Sequence, residues 1–97
     1  MLTKEHILKT LRDNKSFFEK ELGVQRIGLF GSYASGKTTE ESDIDIFVEL
    51  TPPLAHNYFS LWIELEKRLN VKVDLIRNGN HLSDKFRETV EKNIIYA

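Results

Sequence analysis

Cysteine is absent from the chain. That excludes a disulfide framework and any thiolate metal site, and it suits a reducing compartment. Charge of one sign is also lacking: 14 basic residues stand against 15 acidic ones, for a formal net charge of −1. No global basic field is available to hold DNA or RNA phosphates, so nucleic acid is not the expected partner. Long hydrophobic runs are missing too. The opening segment MLTKEHILKT carries charges at positions 4, 5 and 9, which leaves no uninterrupted apolar stretch for a signal peptide. Nothing approaches the roughly 20 apolar residues of a membrane-spanning helix. A cytoplasmic location without membrane contact is the expectation. No repeat, linker or low-complexity tract is visible. With 97 residues, the chain is expected to form one domain spanning 1–97, with a single core.

Within those limits the hydrophobic pattern is informative. Thr3 is placed to cap a first helix, whose apolar positions Ile7, Leu8, Leu11, Phe18 and Leu22 recur at helical spacing up to Gly23. VQRIGLF (24–30) reads as a buried strand ending at a Gly31-Ser32 turn. The small polar residues 33–42 read as a surface loop. In DIDIFVEL (43–50), alternation puts Ile44, Ile46, Val48 and Leu50 on one face and Asp43, Asp45, Phe47 and Glu49 on the other. Pro52 and Pro53 end that strand. A helix is expected over about 54–69, with Asn70 at its end. A third strand, VKVDLIR (71–77), a turn at 78–80 and a last helix from Ser83 through Phe86 and Val90 follow. The apolar tail IIYA is left open between packing on the sheet and touching a partner. The order is α-β-β-α-β-α. The fold class is α/β, a small mixed β-sheet with helices packed on one face.

Residues 28–50, GLFGSYASGKTTEESDIDIFVEL, fit two nucleotide-binding patterns. Gly31 to Thr38 match the phosphate loop G-x-x-x-x-G-K-[ST]. The same Gly31 with Ser32, a ten-residue spacer and Asp43-x-Asp45 match a nucleotidyltransferase pattern. A phosphate loop must feed directly into a helix whose N-terminal amides meet the phosphates. Here only TEES separates Thr38 from the strand that starts near Asp43, about one turn of helix and too short to be stable alone. The second pattern has better support. Asp43 and Asp45 point to one face, about 7 Å apart along the strand. Asp74 lies opposite the apolar face of the third strand, so the three carboxylates converge if the two strands are neighbours. Carboxylates at that separation repel by roughly 2–3 kcal/mol at an effective dielectric near 20. Cations relieve that repulsion, and hard oxygen donors suit Mg²⁺ or Mn²⁺. Any one aspartate alone would read as an ordinary exposed residue. Three on matching faces beside a Gly-Ser turn do not.

With these residues in place, GLFGSYASGKTTEESDIDIFVEL and Asp74 in VKVDLI resemble the minimal nucleotidyltransferase (MNT) family of the DNA polymerase β-like superfamily. The resemblance covers nearly the whole chain. It implies two-metal transfer of a nucleoside monophosphate, AMP from ATP, with release of pyrophosphate. It assigns Asp43, Asp45 and Asp74 as metal-binding and catalytic residues, Asp74 also activating the acceptor hydroxyl. Gly31 and Ser32 would hold the triphosphate. It further implies an antitoxin role beside a HEPN-type toxin, some members transferring AMP to a toxin tyrosine. One departure stands out: the family often has Gly-Ser-x-Ala-Arg-Gly, and Ser35 occupies the arginine position. Lys37 is the candidate replacement in nucleotide binding, as a point charge without the arginine fork.

Two rivals keep the fold. One is a nucleotide-binding antitoxin that acts by occlusion, which Ser35 favours. The other is a small-molecule nucleotidyltransferase, against which 97 residues leave little material for an acceptor pocket. Homo-oligomerisation stays open. Of the remaining candidates, Tyr33 is divided between stacking on a base and packing on its own turn. Trp62 and Phe59 are read as core. His6, His56 and His81 lie on separate elements and form no evident metal site, and EKRLNVK and RETVEK are read as solvated charge.

Overall fold

The computed structural model describes residues 2–38, 43–52 and 54–97. In chain order the elements are α1 (Lys4–Asp13), α2 (Lys15–Leu22), β1 (Val24–Phe30), α3 (Gly31–Ser35), β2 (Ile44–Leu50), α4 (Ala55–Leu69), β3 (Val73–Arg77), α5 (Asp84–Asn93) and β4 (Ile95–Tyr96). The four strands form one mixed sheet in the order β3-β2-β1-β4. β1 runs antiparallel to β2 and to β4, whereas β2 and β3 are parallel.

Period-2 alternation decides which face of the sheet is inside. Ile27 and Leu29 of β1, Ile44, Ile46 and Val48 of β2, and Val73 and Leu75 of β3 share the main core with Ile7, Leu11, Phe18, Leu61 and Leu65 from α1, α2 and α4. Those three helices therefore cover one face, as expected. The mixed α/β fold holds. α5 adds cover on the other face: Phe86 stands edge-on to Phe30, with ring centroids 6.5 Å apart, and Ile94 fills the space above Gly28. Phe47 and Val90 are buried there.

Several boundaries differ from the pattern. The expected first helix is two, broken at Asn14. The Asn14 Nδ2 donates to the Thr10 carbonyl at 2.8 Å, and its Oδ1 accepts from Arg68 Nη1 at 2.7 Å. This side chain competes with the helical ladder, as asparagine does. Thr3 and Ser83 do cap α1 and α5, accepting from His6 N and Phe86 N, both at 3.1 Å. Gly23 and Asn70 end α2 and α4 in the left-handed conformation, φ 70° and 57°. The tail packs on the sheet as β4, and Ala97 N donates to the Ile27 carbonyl at 2.9 Å. Residues 33–42 were expected to be loop; 31–35 form the short helix α3, and 39–42 lie outside the described residues.

Candidate functional site

The parallel pairing of β2 with β3 brings two of the predicted carboxylates together. Asp45 and Asp74 are register partners, on neighbouring strands about 4.8 Å apart and on the same face. Asp43, exposed, lies just before β2. Because β1 is antiparallel to β2, its C-terminus arrives at the same end of the sheet, where Phe30 is the Cα partner of Asp45. Gly31 follows immediately. Its φ of 73° suits glycine, and a Cβ there would run into the Asp45 carboxylate, within 3.1 Å of its Cγ. The Gly-Ser turn and the carboxylates thus meet, backbone against side chain.

Burial pushes the Asp45 carboxyl up to about 6, helped by the nearby charges of Asp74 and Asp43. Such a group is short of positive charge. The other acid on this face is already satisfied: Arg26 donates from Nε to Glu49 Oε2 at 2.8 Å and from Nη2 to Oε1 at 3.0 Å, and Asn78 Nδ2 adds a bond at 2.7 Å. The hydrogen bond from Arg26 holds Glu49 below the usual carboxylate range. Of the acids on the sheet's second face, Asp45 and Asp74 are left for other work.

The donor chemistry fits Mg²⁺ or Mn²⁺: hard oxygens, clustered, with a raised carboxyl among them. Among the described residues no three acidic or histidine side chains stand together in ion-holding geometry. Asp45 and Asp74 are brought together by register, and Asp43, two residues before Asp45, is near enough for its charge to act on the Asp45 carboxyl.

The phosphate-loop alternative fails on geometry. Lys37 and Thr38 come after α3, beyond the left-handed Gly36, instead of starting a helix. The strands flanking this segment are antiparallel to each other. Ser32 sits in the first turn of α3, half-buried; its carbonyl accepts from Lys37 N at 3.0 Å and from Ser35 Oγ at 3.2 Å. The side chain of Lys37 is exposed, and among the described residues no hydrogen bond or ion pair ties it to Asp43, Asp45 or Asp74. Tyr33 is partly buried and packs against the hydrophobic core.

Other participants escaped the sequence reading. Phe59, expected in the core, is 56% exposed. Tyr58, Trp62 and Glu66 form a stripe on α4 that occupies the free edge of β3: Tyr58 Oη donates to the Leu75 carbonyl at 2.6 Å and Trp62 Nε1 to the Val73 carbonyl at 2.7 Å. Glu66 Oε2 accepts from Val73 N at 2.9 Å. Burial, and then the charge of Asp74, raise the Tyr58 phenol, against an opposing pull from Arg77. The spacing 58, 62, 66 was visible as an i, i+4, i+8 row, but its polar tips gave no hint of their target. RETVEK also hides a structural residue, since Arg87 Nη2 donates to the Gly79 carbonyl at 2.6 Å.

Comparison with known proteins agrees with this geometry. The family model for the polymerase β nucleotidyltransferase domain matches residues 12–97. A candidate protein adenylyltransferase of Methanocaldococcus jannaschii is 40% identical over 100 residues, covering 100% of both chains. The protein adenylyltransferase MntA of Thermococcus cleftensis is 35% identical over 98 residues, covering 100% of this chain and 98% of that one. Among solved structures, a candidate minimal nucleotidyltransferase superposes with a TM-score of 0.72 at 30% identity, over 91% of this chain and 93% of that one. A toxin-antitoxin crystal structure with AMP-PNP gives 0.67 at 31% identity, over 98% and 72%. A complex of tri-AMPylated Shewanella oneidensis HEPN toxin with an MNT antitoxin gives 0.58 at 29% identity, over 96% and 66%. With a Gly-Ser turn against paired aspartates and full-length likeness to these enzymes, the chain belongs to the polymerase β nucleotidyltransferase family, among its minimal nucleotidyltransferases.

Proposed function

We propose that the protein transfers AMP from ATP to a hydroxyl of a partner protein, a tyrosine of a HEPN-type toxin, and so acts as an antitoxin. The observation that carries this reading is the register pairing of Asp45 with Asp74 directly beside Gly31. The relatives named for protein adenylyltransfer, and the structures holding AMP-PNP or an AMPylated toxin, support AMP as the transferred group.

In this reading Gly31 lets the backbone approach the triphosphate, and the Ser32 hydroxyl donates to a phosphate oxygen. Lys37 contributes at most a distant positive charge. The acceptor oxygen attacks the α-phosphorus, its proton passes to Asp74, and the bond to the β-phosphate breaks with release of pyrophosphate. Asp43, Asp45 and Asp74 would hold divalent cations, which when bound neutralise charge on the attacking and leaving oxygens. Asp45 anchors the set because it is the half-buried member, on a strand paired on both sides, with β1 and with β3.

Incubation with the cognate HEPN-type partner, ATP and Mg²⁺, followed by intact-mass spectrometry, should show one or more AMP-sized gains on the partner. Asp43→Asn and Asp45→Asn should abolish them while the fold survives. One observation favours a second reading. Ser35 stands where relatives often place arginine, and it spends its hydroxyl on the Ser32 carbonyl. Neutralisation of the toxin that survives Asp43→Asn, with no mass gain from the wild type, would establish occlusion instead.

A further inference from the structure

The nucleotide-binding turn and the carboxylates lie in a fixed order across the sheet: Gly31 after β1, Asp45 on β2, Asp74 on the edge strand β3. Beyond β3 lies a cavity of about 370 Å³, walled by Ala55, Tyr58, Phe59, Ile76, Arg77 and Leu82. It has room for one large side chain and sits at the small end of ligand sites. We infer that this groove is an acceptor-recognition subsite, taking an aromatic or aliphatic side chain of the acceptor polypeptide beside a carboxylate that pairs with Arg77. The inference rests on the transferase reading in one respect, the assignment of the Asp74 side as the acceptor side.

Three observations argue for this occupant. First, an exposed strand edge would normally invite a peptide to add as a further strand. Here Tyr58, Trp62 and Glu66 already occupy both edge groups of Val73 and the Leu75 carbonyl. Strand addition there would have to displace these side chains, which favours reading a passing chain by its side chains. Second, the walls are mostly apolar, with Phe59 56% exposed on the rim and His81 as a further polar member, while Arg77 has no ion-pair partner among the described residues. An apolar group next to an anion complements both. Third, Ile76 shares a face with Asp74 two residues away, about 6–7 Å along an extended chain. A hydroxyl at Asp74 therefore puts the anchoring side chain two or three residues from the modified one.

The test is a ¹⁵N amide-shift titration of the full chain with the blocked peptide acetyl-Tyr-Ala-Phe-Glu-amide. Control peptides carry Gly for Phe or Lys for Glu. Shifts should centre on Phe59, Ile76, Arg77 and Leu82. Filling the groove with Ala55→Phe should weaken binding by roughly tenfold or more, and Arg77→Gln by several-fold, while Mg²⁺-ATP affinity stays unchanged. Phe59→Ser, at an exposed site, repeats the test should Ala55→Phe disturb the fold. Absence of shifts at millimolar peptide, or equal binding by the Ala55→Phe or Phe59→Ser chain, overturns the subsite. So does a loss of ATP affinity without loss of peptide, which would make the groove a nucleobase site. Because the readout is binding, a chain that takes the peptide but transfers nothing keeps the groove and loses only the transferase reading.

Discussion

Asp45 is held in the folded chain at an electrostatic disadvantage. Its carboxyl sits at about 6 against an ordinary 3.8, through burial and the charges of Asp74 and Asp43. Taken whole, that shift corresponds to about 3 kcal/mol; solvent screening of a partly exposed group reduces it to about 1 kcal/mol. The sign follows from linkage. The folded value lies above the unfolded one, so the penalty is complete at pH 7, where both states are ionised. It is relieved as pH falls through 6 and is gone below 3.8. Asp45→Asn should therefore stabilise the metal-free protein by about 1 kcal/mol at pH 7, and the advantage should shrink across that window. Urea denaturation of both chains at several pH values measures it. Gly31→Ala works in the opposite direction. A left-handed alanine costs about 1–2 kcal/mol, and its methyl would meet the Asp45 carboxylate. Reduced stability together with lost nucleotide binding is expected, as read by calorimetry.

At the scale of elements, the sheet edge shows what the sequence could and could not convey. The alternation in DIDIFVEL and the position of Asp74 were legible because strand side chains have a period of two. The apolar pattern alone thus predicts which faces match. The parallel partnership of β2 and β3 supplies the rest. α3 was illegible, since a five-residue segment is too short to show periodicity, and so was the break at Asn14, whose side chain is held by Arg68 more than fifty residues away. EKRLNVK read as solvated charge, yet Glu66 reaches the Val73 amide and the Arg68 guanidinium lies 5.1 Å over the ring of Phe17. Such targets are tertiary and leave no local trace. The α4 stripe has a measurable consequence. Trp62→Phe keeps an aromatic side chain but removes the indole N–H that bonds the Val73 carbonyl, and loss of that bond should cost about 1 kcal/mol, with the smaller ring adding to it. Combined with Tyr58→Phe, it should free two edge carbonyls and promote edge-to-edge association. Denaturation midpoints and concentration-dependent light scattering report the two effects; unchanged midpoints would show that the stripe is not sealing the strand.

The whole molecule is a plate, 34 × 30 × 18 Å, with α1, α2 and α4 on one face of the sheet and α5 on the other. In the proposed reading a second chain brings the hydroxyl to Asp74 on the edge strand β3. The net charge of −1 does not supply a broad positive field for a tetraanionic nucleotide. ATP alone should therefore bind poorly, meeting the Asp43, Asp45 and Asp74 carboxylates with no cation between them. In the proposed reading the same carboxylates would become ligands once Mg²⁺ is present. At ten times its dissociation constant, Mg²⁺-ATP should then stabilise the fold by about 1.4 kcal/mol, raising the melting temperature by roughly 6–10 °C for a chain of this size. ATP without metal should leave it nearly unchanged. Asp45→Asn joins this expectation to the residue-level one, because the two effects of that single change have opposite signs. The metal-free variant should melt higher than the wild type at pH 7, and the Mg²⁺-ATP shift should be lost. A thermal melt of both chains, with and without Mg²⁺-ATP, reads both signs in one experiment. A variant that melts higher yet keeps the full nucleotide shift would remove Asp45 from the cation site and leave it as a merely crowded carboxylate.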